Sequence, residues 1–179
     1  MRLFAASAYD TVQMDDIADA ASVAKPTVYR HFLTKEALFV EALEAILAKL
    51  KAKVSAIAHD QAPAAERLTA IVAVMFGEIG RLKALIRVAE GSGERPGEAG
   101  RAVLRRELRH LRGEIATVIR DGGRSGSFAP VDPDLAAMVV LGGVRMAADS
   151  GSDDPAEAVA ALLLGGLVHR VPQPPNLQR

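Results

Sequence analysis

Along most of this chain the apolar residues return every third or fourth position, the interval that lines one face of an α-helix, and they rarely alternate as a strand requires. Glycine, proline and capping residues divide the pattern into about nine helical segments. Met1–Ala8 reads as the tail of a helix that starts short, followed by Met14–Ala21 and Lys25–Phe32. Thr34 caps a long helix opening on Lys35 and Glu36, whose Leu38, Phe39, Leu43, Ile46, Leu47 and Leu50 form a stripe suited to bridging two domains. After a loop at His59–Pro63, Ala64–Gly80 and Leu82–Glu90 read as two helices closed by the breaker run Gly91–Gly97. The next helix sets Leu104, Leu108, Leu111, Ile115, Val118 and Ile119 opposite Arg101, Arg105, Arg109 and Arg112, a basic stripe expected to face water. Gly122–Pro130 ends it. Pro133–Ser150 and Pro155–Arg170 complete the set, each with proline in its first turn and an aspartate, Asp132 or Asp154, as cap. The expected fold is all-α, with residues 172–179 a flexible tail.

Composition narrows the chemistry. Half the residues are apolar, so the chain can fill a core, and the absence of cysteine excludes disulfides and thiolate chemistry. No signal peptide is visible, and the most apolar stretches are broken by Arg145 or by the pairs Gly142-Gly143 and Gly165-Gly166. A soluble, cytoplasmic protein is expected, with no membrane partner. His31, His59, His110 and His169 are scattered, no metal-ligand spacing recurs and no phosphate loop follows a strand. No catalytic residues, metal or cofactor are assigned, and an enzyme is not expected.

Lysine plus arginine equal aspartate plus glutamate at 22 each, so no global field points to a nucleic acid. The local pattern does. In DDIADAASVAKPTVYRHF, Ile17, Ala18 and Ala21 give one short helix an inward face, Val23 plugs the turn, and Ala24, Val28 and Phe32 give the next helix its own. Lys25, Thr27, Tyr29, Arg30 and His31 then project outward from a short rod that fits the major groove. From Ala24 to Lys35 no acid interrupts Lys25, Arg30 and Lys35, although the surrounding segment carries Asp10, Asp15, Asp16, Asp19, Glu36, Glu41 and Glu44.

Tyr9–Leu43, and DDIADAASVAKPTVYRHFLTKEALF within it, resembles the DNA-binding domain of the TetR family of bacterial regulators. The resemblance implies a helix-turn-helix domain over 1–45, its first helix truncated here, and a helical ligand-binding and dimerisation domain over 46–171. It places Thr27, Tyr29 and His31 on phosphates, Lys25, Pro26 and Arg30 near base edges, and Lys35 on a phosphate at a helix N-terminus. Three positions depart from the family: Gln13 replaces a Thr or Ser cap, Ser22 a turn glycine and Ala24 a serine. Ser22 is expected to adopt a left-handed conformation at a cost of roughly 1 kcal/mol.

For the second domain the resemblance implies a homodimer. Leu135, Met138, Val139, Leu141 and Gly142 with Leu162, Leu163, Gly166 and Leu167 can build a four-helix interface, and two-fold symmetry then calls for a near-palindromic double-stranded operator. A pocket for a small-molecule effector of unknown identity is expected among Met75, Phe76, Ile79, Leu85, Ile86, Leu104, Leu108, Leu111 and Phe128, residues equally suited to plain core. Arg145 is a candidate for an anionic ligand, with Asp149 its alternative partner. The function implied is a repressor released from DNA by a ligand; the alternative is a DNA-bound regulator whose helical domain contacts a protein.

Overall fold

A computed structural model of the chain describes residues 9–90, 98–148, 150 and 155–167. The segments Met1–Ala8 and Gly91–Gly97, Asp149 with Asp154, and the tail from 168 lie outside the described residues. Seven α-helices and one 3₁₀ turn, Tyr9–Thr11, are present among those described, and no strand. The helices are α1 (Met14–Ala20), α2 (Lys25–His31), α3 (Lys35–Ala58), α4 (Ala64–Glu90), α5 (Glu98–Arg124), α6 (Pro133–Ala147) and α7 (Pro155–Leu167).

The count of about nine needs correcting. One expected helix, Met1–Ala8, is outside the described residues, and two others are one: α4 runs unbroken through Gly77 and Gly80. A helical glycine costs only about 1 kcal/mol relative to alanine. Leu68, Ile71, Val72, Met75, Leu82 and Leu85 hold one buried stripe in phase across both glycines.

Local chemistry explains the helix ends. Asp16 Oδ2 accepts the Gln13 N–H at 2.9 Å, so an acid inside α1 satisfies the donor at its start. The turn after α1 closes through Val23 N–H to Ala18 O at 3.0 Å, with Ser22 at φ 56°, the left-handed conformation its sequence position suggested. Thr34 Oγ1 accepts from Ala37 N–H at 3.1 Å, and Asp132 Oδ1 accepts from Asp134 N–H and Leu135 N–H at 2.9 and 3.1 Å. At the end of α5, Gly126 turns the chain at φ 74° and Phe128 folds back onto Gly122.

Helix α5 is central, packing on α3, α4 and α6, while α7 lies against α4 and α6. Leu38, Phe39, Leu43, Leu47, Leu50, Val54 and Ala58 are the buried stripe of α3, running almost from its first turn to its last. Polar ties brace these contacts. Buried Arg67 donates to Ala58 O at 2.6 Å, capping α3, and pairs with Asp121 of α5 at 3.2 Å. Arg106 bridges Glu107 at 2.8 Å and Glu44 of α3 at 3.0 Å, and those two carboxylates hold its guanidinium above its ordinary pKa. No described helix is long and apolar enough to cross a membrane.

Candidate nucleic-acid interface and ligand cavity

Seven residues make α2 only two turns long, and it is anchored by one buried side chain, Val28, against α1. Lys25, Pro26, Tyr29, Arg30 and His31 are exposed and Thr27 half-buried, so the predicted outward set stands on the open face of the rod. The inward set is smaller than expected. Ile17, Ala18, Val28 and Phe32 are buried or half-buried, but Ala21, Val23 and Ala24 are exposed. Val23 does not plug the turn; the left-handed Ser22 carries it to the rim, and backbone hydrogen bonds close the turn instead.

The charged geometry holds two surprises. Asp15, in the first turn of α1, reaches across to α2: Lys25 Nζ donates to its Oδ2 at 2.8 Å and Tyr29 Oη to its Oδ1 at 3.2 Å. The Lys25 hydrogen bond keeps the Asp15 carboxyl below its ordinary value, and the reciprocal bond raises the Lys25 ammonium. Tyr29 is raised, first by lost hydration and then by the Asp15 hydrogen bond, so its phenol remains a donor at neutral pH.

Lys35 is the second surprise. Instead of pointing from the start of α3 toward a phosphate, its Nζ turns inward, donating to Tyr9 O at 2.8 Å and Val12 O at 3.0 Å and lying 4.5 Å from the Tyr9 ring centroid. Tyr9 stacks edge-on against buried Phe39, with ring centroids 5.5 Å apart. In this conformation Lys35 pins the segment before α1 onto α3.

Farther along, an apolar cavity of about 250 Å³ opens between α3, α4, α5 and α6. Leu47, Leu50, Met75, Leu82, Leu104, Leu108, Leu111, Leu141 and Gly142 line it, and Arg145 is the one charged residue among the described residues of the lining. Five expected residues meet there: Met75, Leu104, Leu108, Leu111 and Arg145. Others do not. Phe76 and Leu85 are outside the lining, and Phe128 fills the space over Gly122 at the end of α5. The side chains of Ile79 and Ile86 lie outside the described residues, as does Asp149. Leu47, Leu50 and Leu82 were missed, although their helical spacing had already marked the two α3 residues as inward. Leu141 and Gly142, expected at a subunit interface, also line the cavity, because they share a helix face with Arg145.

A second apolar surface lies between α6 and α7, where Leu135, Ala136, Val139, Leu162, Leu163, Gly166 and Leu167 line a groove of about 340 Å³. Leu135, Met138 and Val139 are more than half exposed and Leu162 is 78% exposed. Gly166 is exposed, Leu163 half-buried, and Leu167 belongs to the core, its carbonyl accepting from Ala129 N–H at 2.6 Å. Sequence reasoning missed Met146, 75% exposed on the same helix as Leu135. A larger, polar opening beside the α3–α4 loop is lined by His59, Asp60 and Arg67, but Arg67 is already committed to Ala58 O and Asp121. No group of side chains suited to hold a metal ion occurs among the described residues.

A short basic helix presented by a turn, joined through one long helix to an apolar helical bundle, defines a helix-turn-helix transcriptional regulator. Comparison with known proteins agrees. Residues 1–42 match the profile of bacterial regulatory proteins of the tetR family, and residues 61–167 that of the tetracyclin repressor-like C-terminal domain. The chain belongs to the TetR family. It is 31% identical over 135 residues to YhgD of Bacillus subtilis (strain 168), described as an uncharacterized HTH-type transcriptional regulator, covering 74% of this chain and 70% of the relative. Among solved structures of similar fold are the fatty acid degradation regulator FadR of Bacillus halodurans and FadR of Bacillus subtilis in complex with stearoyl-CoA. The first has TM-score 0.77 and 22% identity, covering 94% of this chain and 92% of that one. The second has TM-score 0.75 and 20% identity, covering 94% and 95%. The ketosteroid regulator KstR2 of Mycobacterium tuberculosis has TM-score 0.70 and 23% identity, covering 94% and 91%.

Proposed function

We propose that this chain is a cytoplasmic, homodimeric repressor without enzymatic activity, whose paired α2 helices read a near-palindromic operator and whose release is driven by a small apolar effector. The observation that carries the reading is the shared lining of the cavity. Leu47 and Leu50 belong to the helix that begins at the reader, so an occupant of the cavity touches that helix directly. A molecule that binds better to one disposition of α3 than to another shifts the reader by that difference in affinity. The division follows from the same helix: residues 1–45 read DNA and 46–171 bind ligand and dimerise.

The lining sets the ligand chemistry. Nine apolar or small residues favour a hydrophobic body, and Arg145 at the edge suits an acidic group on it. Stearoyl-CoA in the FadR relative is an apolar chain with an anionic end, although the cavity described here is small for a chain of that length. On the DNA side, Thr27, Tyr29 and His31 anchor on phosphates and Arg30 with Pro26 lies at base edges, while Lys25, for which the family resemblance implied a base edge, shares the Asp15 carboxylate with Tyr29 and is assigned to the phosphate beside it. The groove between α6 and α7 supplies the dimer contact through Leu135, Met138, Val139 and Leu162.

Selection of DNA from a random pool by the purified protein, with and without a metabolite extract, tests the whole reading. Enrichment of an inverted repeat that the extract abolishes is the expected result. No enrichment in either arm would sink it. Within an enriched site, Arg30→Ala is expected to cost about 1–3 kcal/mol and to relax preference at one base pair in a binding titration.

A further inference from the structure

Lys25 and Tyr29 are one helical turn apart on α2, so their donor groups face the same space. That space already holds an anion. The two oxygens of Asp15 take one donor each, at 2.8 and 3.2 Å, in the way two oxygens of a backbone phosphate would. We propose that Asp15 is an intramolecular competitor of DNA, occupying the phosphate seat of α2 so that the reader must surrender this contact to bind a duplex.

The inference rests on the DNA-reading role proposed for α2. Its physical basis is charge. A carboxylate and a phosphate compete for these donors, because the Tyr29 hydroxyl has one proton to give and the two anions repel at contact distance. The pair is exposed, with the Lys25 and Asp15 side chains retaining 49% and 45% of their accessibility, so a strand with a dense array of phosphates can displace it. Asp15 then remains beside the bound strand as a like charge. Because the Asp15 carboxyl sits below its ordinary pKa, it is ionised throughout the neutral range and the competition does not switch off there. The device lowers affinity for all duplexes alike, since a phosphate seat carries no base information.

Asp15→Asn keeps the shape and removes the charge. Fluorescence anisotropy with a duplex of mixed sequence, titrated at several salt concentrations, is expected to show binding tightened by roughly three- to tenfold and a salt dependence steeper by about one ion. In Lys25→Ala the same change is expected to gain markedly less, because the contested donor is gone. Asp15→Ser repeats the test should the asparagine variant melt at a lower temperature than wild type. Unchanged or weaker binding by a folded Asp15 variant overturns the inference and makes Asp15 a positioning residue. Failure of wild type to bind duplex at any salt overturns the DNA-reading role itself and this inference with it.

Discussion

At the scale of single residues, two backbone positions give opposite expectations for changes between glycine and a side chain. Ser22 holds φ 56°, where a Cβ is crowded against its own backbone, so Ser22→Gly is expected to stabilise the fold by about 1 kcal/mol in urea denaturation. Gly122 is the reverse. A Cβ there would overlap the Phe128 ring, and since Phe128 is buried it cannot swing clear, so Gly122→Ala is expected to destabilise by about 1–3 kcal/mol in the same assay. Gly113, in the same helix with open space around it, is the control: Gly113→Ala is expected to stabilise by about 0.5–1 kcal/mol. The Asp15–Lys25 pair has its own pH window. The lowered carboxyl contributes fully above its ordinary value of 3.8 and loses its contribution as pH falls through the lowered one. The raised ammonium contributes below 10.5 and loses its share as pH rises through the higher value. Between those limits the contact is constant. Ser22 was legible because a turn position departing from glycine implies a left-handed serine. Lys35 and Asp15 were not, because their roles depend on where flexible side chains turn in space, which spacing along the chain does not record.

At the scale of elements, the apolar stripes of α3 and α5 and the caps of α3 and α6 were readable because each rests on neighbours a few residues apart. Asp132 and Pro133 start α6 as their chemistry demands. Gly80 misled, because a glycine stops a helix only where nothing beyond it continues the buried face, and Leu82 and Leu85 continue it. Cavity and core were also indistinguishable in the sequence: Leu104 and Leu111 are buried and line the cavity nonetheless. Four helices bound the space, and a Cβ at Gly142 would meet no described atom within 4 Å, so no described side chain fills it from that side. Leu141→Trp is therefore expected to fill the cavity, leaving DNA affinity within about twofold of wild type while abolishing release by effector. A titration of DNA release against the metabolite fraction that acts on wild type checks it.

For the whole molecule, the exposed faces of α6 and α7 gather several large apolar side chains in water. Leu135, Met138 and Leu162 at more than half exposure form a surface that a monomer would leave in water. Leu135→Glu combined with Leu162→Glu is expected to give a folded monomer in analytical ultracentrifugation, with helical circular dichroism retained and binding to an inverted repeat weakened by at least about a hundredfold. Sequence pattern identified this face but could not separate it from the cavity, since both draw on α6: Leu135 and Val139 line the groove, Leu141 and Arg145 the cavity. One helix thus serves two surfaces. The long helix α3 has a comparable double attachment. Lys35 at its first turn holds the carbonyls of Tyr9 and Val12, while Leu47 and Leu50 bound the cavity. At 1.5 Å per residue these ends lie about 20 Å apart, so α3 is a lever arm: a tilt of about 5° at the cavity displaces the first turn by about 2 Å. Hydrogen bonds to phosphates tolerate only a few tenths of an ångström. Under the proposed function, a ligand small enough for this cavity need therefore deform nothing; a slight change in the seating of one rod would move the reader out of register with its DNA.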